Sequence, residues 1–196
     1  MRQNQTKRIV LVAILSAFSF LLIQFLQFPI GLGGFMKVDP SIVPIMLALY
    51  VLGLRGAMSV LLMRSFVYFL FNMGQVSTII GLPMNMANAA LYTLVLWQFA
   101  KKVEGFNLQK FVIGGVLGTV AGTLIMLILN YFYAIPAYEH FANFRLSDMG
   151  LDLRTWLVVM VLPFNAAQGL VWTAISGLVL VPMKKFMTTQ SAKFAA

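Results

Sequence analysis

The sequence predicts an all-α integral membrane protein of six transmembrane helices, with both termini on the cytoplasmic side. Three observations carry that prediction. Of 196 residues, 61% are hydrophobic and only 10% are charged, against roughly 25% charged in a soluble domain. The apolar residues fall into six runs, most of them near the ~20 residues a helix needs to cross the hydrocarbon core. Basic residues gather on alternate sides of those runs.

The runs place helices at about 8–28, 40–54, 57–73, 79–100, 109–133 and 153–185, in one six-helix membrane domain covering 1–196. The first begins after Lys7 and Arg8 and is broken by Pro29, Gly31, Gly33 and Gly34. No small-residue cleavage site follows a short apolar region, so this run reads as a membrane helix and not a removable signal. The second run is at the lower limit for a span, and Gly53, Arg55 and Gly56 part it from the third. Residues 72–78 are polar and read as a loop. The fourth run ends at Lys101 and Lys102. The longest loop is expected at 134–152, with Pro136, Glu139, His140, Arg145 and Asp148. The sixth run is longer than a bilayer requires, so it is tilted or extends beyond the membrane. The basic tail from Lys184 is expected to fray.

Charge sets the orientation. With the N-terminus inside and six crossings, Arg2, Lys7, Arg8, Arg55, Lys101, Lys102, Lys110, Lys184, Lys185 and Lys193 fall on the cytoplasmic side. Only Lys37, Arg145 and Arg154 fall outside, where Asp39, Glu139, Asp148 and Asp152 join them, whereas Glu104 lies inside. The net charge of +9 is therefore a topological signal and not a nucleic-acid groove.

Polar residues within the runs mark the candidate site. Arg64 is the one charge deep in an apolar run, and such a group ordinarily faces a bundle interior or cavity. It reads either as a counter-charge for an anionic or strongly polar ligand, or as an arginine paired with helix carbonyls or snorkelling to the interface. Tyr68 lies one turn along the same face. Asn85, Asn88, Asn130, Asn165 and Gln168 fall in the outer part of the membrane under this topology, with Asn72 nearby. Each amide offers donors and acceptors that need partners in hydrocarbon. They serve either as interhelical bonds or, converging at one depth, as a pocket open to the outside. Gly114, Gly118 and Gly122, spaced by four, permit close helix packing inside the bundle. Ala13 and Ala17 share that spacing on the first helix and fit an internal contact or a second membrane protein equally well.

Catalytic chemistry finds little support. The chain has no cysteine and one histidine, His140, without a nucleophile beside it. It has no GxxxxGK phosphate loop, so it does not itself hydrolyse ATP. No metal-ligand cluster and no cofactor are expected. A lipid-processing enzyme is thus disfavoured; a structural membrane protein and an autonomous carrier remain as alternatives.

Four stretches resemble the substrate-specific S-components of energy-coupling factor (ECF) vitamin importers. They are Ala13-Ile-Leu-Ser-Ala17, Lys37-Val-Asp-Pro-Ser-Ile-Val-Pro44, Leu129-Asn-Tyr-Phe132 with Pro136 and Tyr138 beyond, and Pro163-Phe-Asn-Ala-Ala-Gln-Gly169. In this order they are most similar to the riboflavin and pantothenate branch. The resemblance implies a bacterial plasma-membrane subunit with six helices and a vitamin site near the outer face. It implies partners as well: a transmembrane coupling subunit, packed on Ala13 and Ala17, and two ATPase subunits. It also implies toppling within the membrane to release the vitamin inside. Asn130 and Asn165 match residues of riboflavin binders, which typically carry Lys at the position of Gln168 and Lys-Asn at Arg64-Ser65. Because arginine binds a carboxylate bidentately and amides suit amide and hydroxyl groups, the expected ligand is pantothenate, with riboflavin as the alternative.

Overall fold

The computed structural model describes residues 2–29, 36–100, 106–143 and 145–195. Gly31, Gly33 and Gly34 of the expected first break, and Lys101, Lys102 and Glu104 of the expected inner loop, lie outside the described residues. Helix α1 (Arg2–Phe25) leads to two short strands, β1 (Phe28–Pro29) and β2 (Lys37–Val38), paired antiparallel. Then come α2 (Ile42–Asn72), α3 (Val76–Ala100) and α4 (Leu108–Leu129), which runs through a π-helical segment (Asn130–Ala134) into α5 (Ile135–Ala142). After a 3-10 turn (Leu146–Met149), α6 (Leu153–Thr155), a second π-helical segment (Trp156–Val161) and α7 (Leu162–Leu180) form one continuous span. Helix α8 (Lys184–Ala195) closes the chain.

Long apolar helices dominate, and side chains such as Ile14, Phe18, Leu62, Phe66, Leu124 and Leu178 face outward. Such a surface is stable only in lipid. By continuity, five helices among the described residues are long and apolar enough to cross a bilayer. One of them, α2, doubles back at Gly53 into two arms. That residue adopts φ 76° and ψ −175°, a region essentially reserved for glycine. Straight, α2 would hold Ser41 and Arg64 ~35 Å apart at 1.5 Å per residue. Instead the Arg64 guanidinium donates to Ser41 Oγ at 2.6 Å. The expected helices at 40–54 and 57–73 are therefore two arms joined at one residue with no loop between them.

Helix α1 fixes the register of this hairpin. Arg8 donates to the Leu52 carbonyl (3.1 Å), Ser19 to the Ser41 carbonyl (2.6 Å), and Asn72 donates to Gln24 Oε1 (2.9 Å). The start of α1 thus sits beside the Gly53 reversal and its end beside the far ends of both arms. The main core joins the arms of α2 to α3, α4 and α7 through Ile45, Met46, Val60, Tyr92, Leu96, Phe111, Trp172 and Leu180. A second cluster, Ile135, Leu146, Trp156, Met160 and Val161, fills the opposite end.

Several boundaries differ from expectation for local reasons. The loop expected at 72–78 shrinks to three residues between α2 and α3. The loop expected from 134 is helical to Ala142, with Pro136 just past the π-helical segment Asn130–Ala134, which joins α4 to α5 without a break. The tail from Lys184 is the helix α8 and does not simply fray. Its Met187 is only 1% exposed and packs in the main core with Phe194. The entry to α4 is capped by Asn107, whose side chain accepts from Lys110 N at 3.0 Å. Pro83 inside α3 frees the carbonyl of Ile79, which takes a long contact from the Tyr133 hydroxyl at 3.5 Å.

Candidate functional site

The polar residues inside the bundle form two groups. The first centres on Arg64, 1% exposed. One terminal nitrogen donates to Ser41 Oγ and the other to Asn85 Oδ1 at 2.9 Å, while Nε has no partner. Ser41 is held at every polar group: its N–H donates to Asp39 Oδ1 (2.9 Å) and its carbonyl accepts from Ser19. Asp39 in turn accepts the Trp172 indole N–H on its carbonyl at 3.0 Å. The Asp-Pro-Ser turn before α2 is thereby tied to α1, α2, α3 and α7. Neither a pairing with helix carbonyls nor snorkelling describes Arg64; its partners are the side chains of buried Ser41 and half-buried Asn85. Tyr68, half-buried one turn on, gives its carbonyl to Asn72.

The second group lies where α3, α4 and α7 meet. Asn88 donates to Gln168 Oε1 across 3.4 Å, and the bare α-carbon of Gly122 faces Asn88 Oδ1 so closely that a Cβ would collide. Asn165 is 3% exposed; its Nδ2 donates to the Val161 carbonyl, and its Oδ1 has no partner. Asn130 is buried and donates to the Met126 carbonyl. Both asparagines adjoin a π-helical segment: Asn130 opens the first, and Asn165 follows the second by one turn. In each case the amide takes the carbonyl four residues back. Single π turns recur at functional sites.

The expected residues thus separate. Asn88 and Gln168 are in direct contact. Asn85 belongs with Arg64, and Asn130 and Asn165 turn their nitrogens to their own helices. The expected glycine stripe packs internally: Gly114 meets Leu96 and Phe99, and Gly118 meets Tyr92. Ala13 and Ala17 both lie exposed on α1, the least buried of the long helices. Sequence reasoning missed Ser41, Asp39 and Trp172 as parts of the buried network. The first two sit in the Lys37–Pro44 stretch already singled out by resemblance, and Trp172 carried no polar signal at all. His140, expected in a solvated loop, is exposed on α5 with its ring edge-on to Phe141, the centroids 4.8 Å apart.

A bundle of five to six long apolar helices enclosing a layer of amides, hydroxyls and one arginine defines a multi-pass membrane protein with an internal polar site. Comparison with known proteins identifies the family. Residues 7–180 match the family model of the ECF transporter, substrate-specific component, and the chain belongs to that family of bacterial multi-pass membrane transport proteins. It is 39% identical over 185 residues to the riboflavin transporter RibU of Streptococcus thermophilus, covering 94% of this chain and 86% of that protein. It is 38% identical over 199 residues to the RibU of Lactococcus lactis subsp. cremoris, covering 93% and 95%. A solved structure of the S component of a bacterial ECF transporter superposes with a TM-score of 0.76 at 26% identity, covering 93% of this chain and 98% of that one.

Proposed function

We propose that this protein is the riboflavin-binding subunit of an ATP-driven ECF importer. The observation that carries the reading is that relatives 39% and 38% identical along nearly the whole chain are named riboflavin transporters. This replaces the pantothenate expectation, which rested on an arginine free to grip a carboxylate. Both terminal nitrogens of Arg64 already donate to Ser41 and Asn85, so it is not a free counter-charge. The amides Asn88, Asn130, Asn165 and Gln168 suit a ligand rich in carbonyl, N–H and hydroxyl groups, and riboflavin is one.

In this reading the chain is a single domain of six crossings, the arms of α2 counting as two, with both termini inside. The reversal at Gly53, beside Arg8 and Arg55, lies at the cytoplasmic face, and the Asp39–Ser41 turn lies towards the outer one. Vitamin enters from outside and sits against α3, α4 and α7. The exposed Ala13–Ala17 stripe of α1 packs on a transmembrane coupling subunit, and two ATPase subunits supply the energy that this chain lacks the residues to extract.

The test is titration of the purified, ligand-stripped protein, with riboflavin followed by flavin fluorescence quenching and pantothenate by calorimetry. Saturable one-site quenching by riboflavin, with no heat from pantothenate, is the expected result. Pantothenate binding without quenching would overturn the assignment.

A further inference from the structure

Helices α4 and α7 pack antiparallel in a strict register. Phe111 meets Gly177, Gly115 meets Thr173, and Thr119 meets Gly169. Each step of four along α4 is answered by four back along α7. Glycine on one side or the other makes the approach so close that a Cβ at Gly115 would lie 2.6 Å from Thr173 Cγ2. The next step in the same series sets Thr123 opposite Asn165.

At that level the hydrogen bonding changes. Thr119 and Thr173 each donate to the carbonyl four residues back, at 2.8 Å. Thr93 and Ser16 do the same. This is the ordinary way for a helix to absorb a hydroxyl in apolar surroundings. Thr123 does not: its Oγ1 is buried and without a partner, as is Asn165 Oδ1 across the seam. Arg64 Nε, Ser65 Oγ and Ser176 Oγ are also unpaired, but each lies off this series of facing positions. Two facing orphans, one an acceptor and the other both donor and acceptor, are costly when empty and complementary to a polar group placed between them. Asn88 and Gln168 lie within a turn on the neighbouring faces.

We propose that Thr123 is a further ligand-binding residue, and that with Asn165 it forms a two-point subsite for a ligand N–H or O–H group. Asn165 Oδ1 accepts that hydrogen, and the Thr123 hydroxyl bonds the adjacent oxygen of an imide edge or of a neighbouring hydroxyl. This rests on the riboflavin reading. Within riboflavin the same chemistry has two sources, the ring imide and the ribityl chain.

The test compares wild type, Thr123→Val and Thr123→Ser for binding of riboflavin and of lumiflavin, which has the ring without the ribityl chain, together with thermal unfolding of the ligand-free protein. Valine keeps the shape and removes only an unused hydroxyl, so the ligand-free midpoint should hold or rise. Riboflavin affinity should fall roughly tenfold and return with serine. A parallel loss for lumiflavin places the ring imide in the subsite; a loss for riboflavin alone places the ribityl chain there. Wild-type riboflavin affinity in Thr123→Val overturns the proposal and leaves the riboflavin reading intact. Failure of the wild type to bind riboflavin overturns both.

Discussion

Arg64 offers the sharpest test of how the bundle is held together. Replacing it with methionine keeps much of the length and removes the charge. Two charge-assisted hydrogen bonds are lost, to Ser41 and Asn85, each contributing about 1.5–3 kcal/mol. Against this, a cation no longer has to sit inside the membrane, which costs about 2.5–3.5 kcal/mol on insertion scales. The balance runs from about −0.5 to 3.5 kcal/mol and predicts a net loss centred at about 1.5 kcal/mol. The same arithmetic predicts strong coupling. Once Arg64 is methionine, Ser41→Ala removes a hydroxyl that has already lost its partner, so the double variant should be more stable than additivity allows by about 1.5–3 kcal/mol. Equilibrium unfolding in mixed micelles, followed by tryptophan emission, reads both quantities. Trp172 is bonded to the Asp39 carbonyl in the same network and reports on it directly. Additive effects of the two substitutions would refute the reasoning. So would a variant that binds neutral riboflavin normally and loses only its phosphorylated, anionic form, because that is the signature of a ligand counter-charge.

Three further outcomes are expected. Ala13→Trp should abolish co-purification with the coupling and ATPase subunits while riboflavin affinity stays at the wild-type value, since the substitution adds bulk at an exposed helix face and touches no buried group; weakened binding with normal assembly would reverse the assignment. Asn165→Ala should weaken riboflavin binding about tenfold in a quenching titration, one lost hydrogen bond to a ligand group left unpaired, and unchanged affinity would remove it from the site. Gly53→Ala forces a side chain into φ 76°, ψ −175° and should cost about 1–3 kcal/mol in unfolding experiments; a variant as stable as wild type would mean that the reversal does not depend on that backbone conformation.

The apolar runs were legible because the bilayer imposes one simple demand, about 20 apolar residues in a helix, and the chain meets it in nearly every run. Less was legible where a local break signal had a helical solution. Pro136 reads as a loop residue, yet the helix continues through it behind a π-helical segment, and the Gly53–Gly56 cluster reads as a connection until a single residue achieves the reversal. Helix α8 was missed because its two apolar anchors, Met187 and Phe194, are spread through a polar sequence and count only against a core supplied by other helices.

The site was harder to read, and the reason is physical. A sequence displays which residues carry hydrogen-bonding capacity but not which of it is already spent. Arg64 looked like the ligand's counter-charge because an intramembrane cation must have a partner; its partners are Ser41, 23 residues away, and Asn85, 21 residues away. Once they are accounted for, the argument for a carboxylic acid ligand loses its cation. What remains unspent on the α4–α7 seam is smaller and uncharged: one oxygen each on Thr123 and Asn165, beside an amide pair whose 3.4 Å contact is long enough to open. The amide of Gln168 engages Asn88 without charge. Under the proposed riboflavin reading, a site with that remainder selects a neutral ligand by matching donors to acceptors.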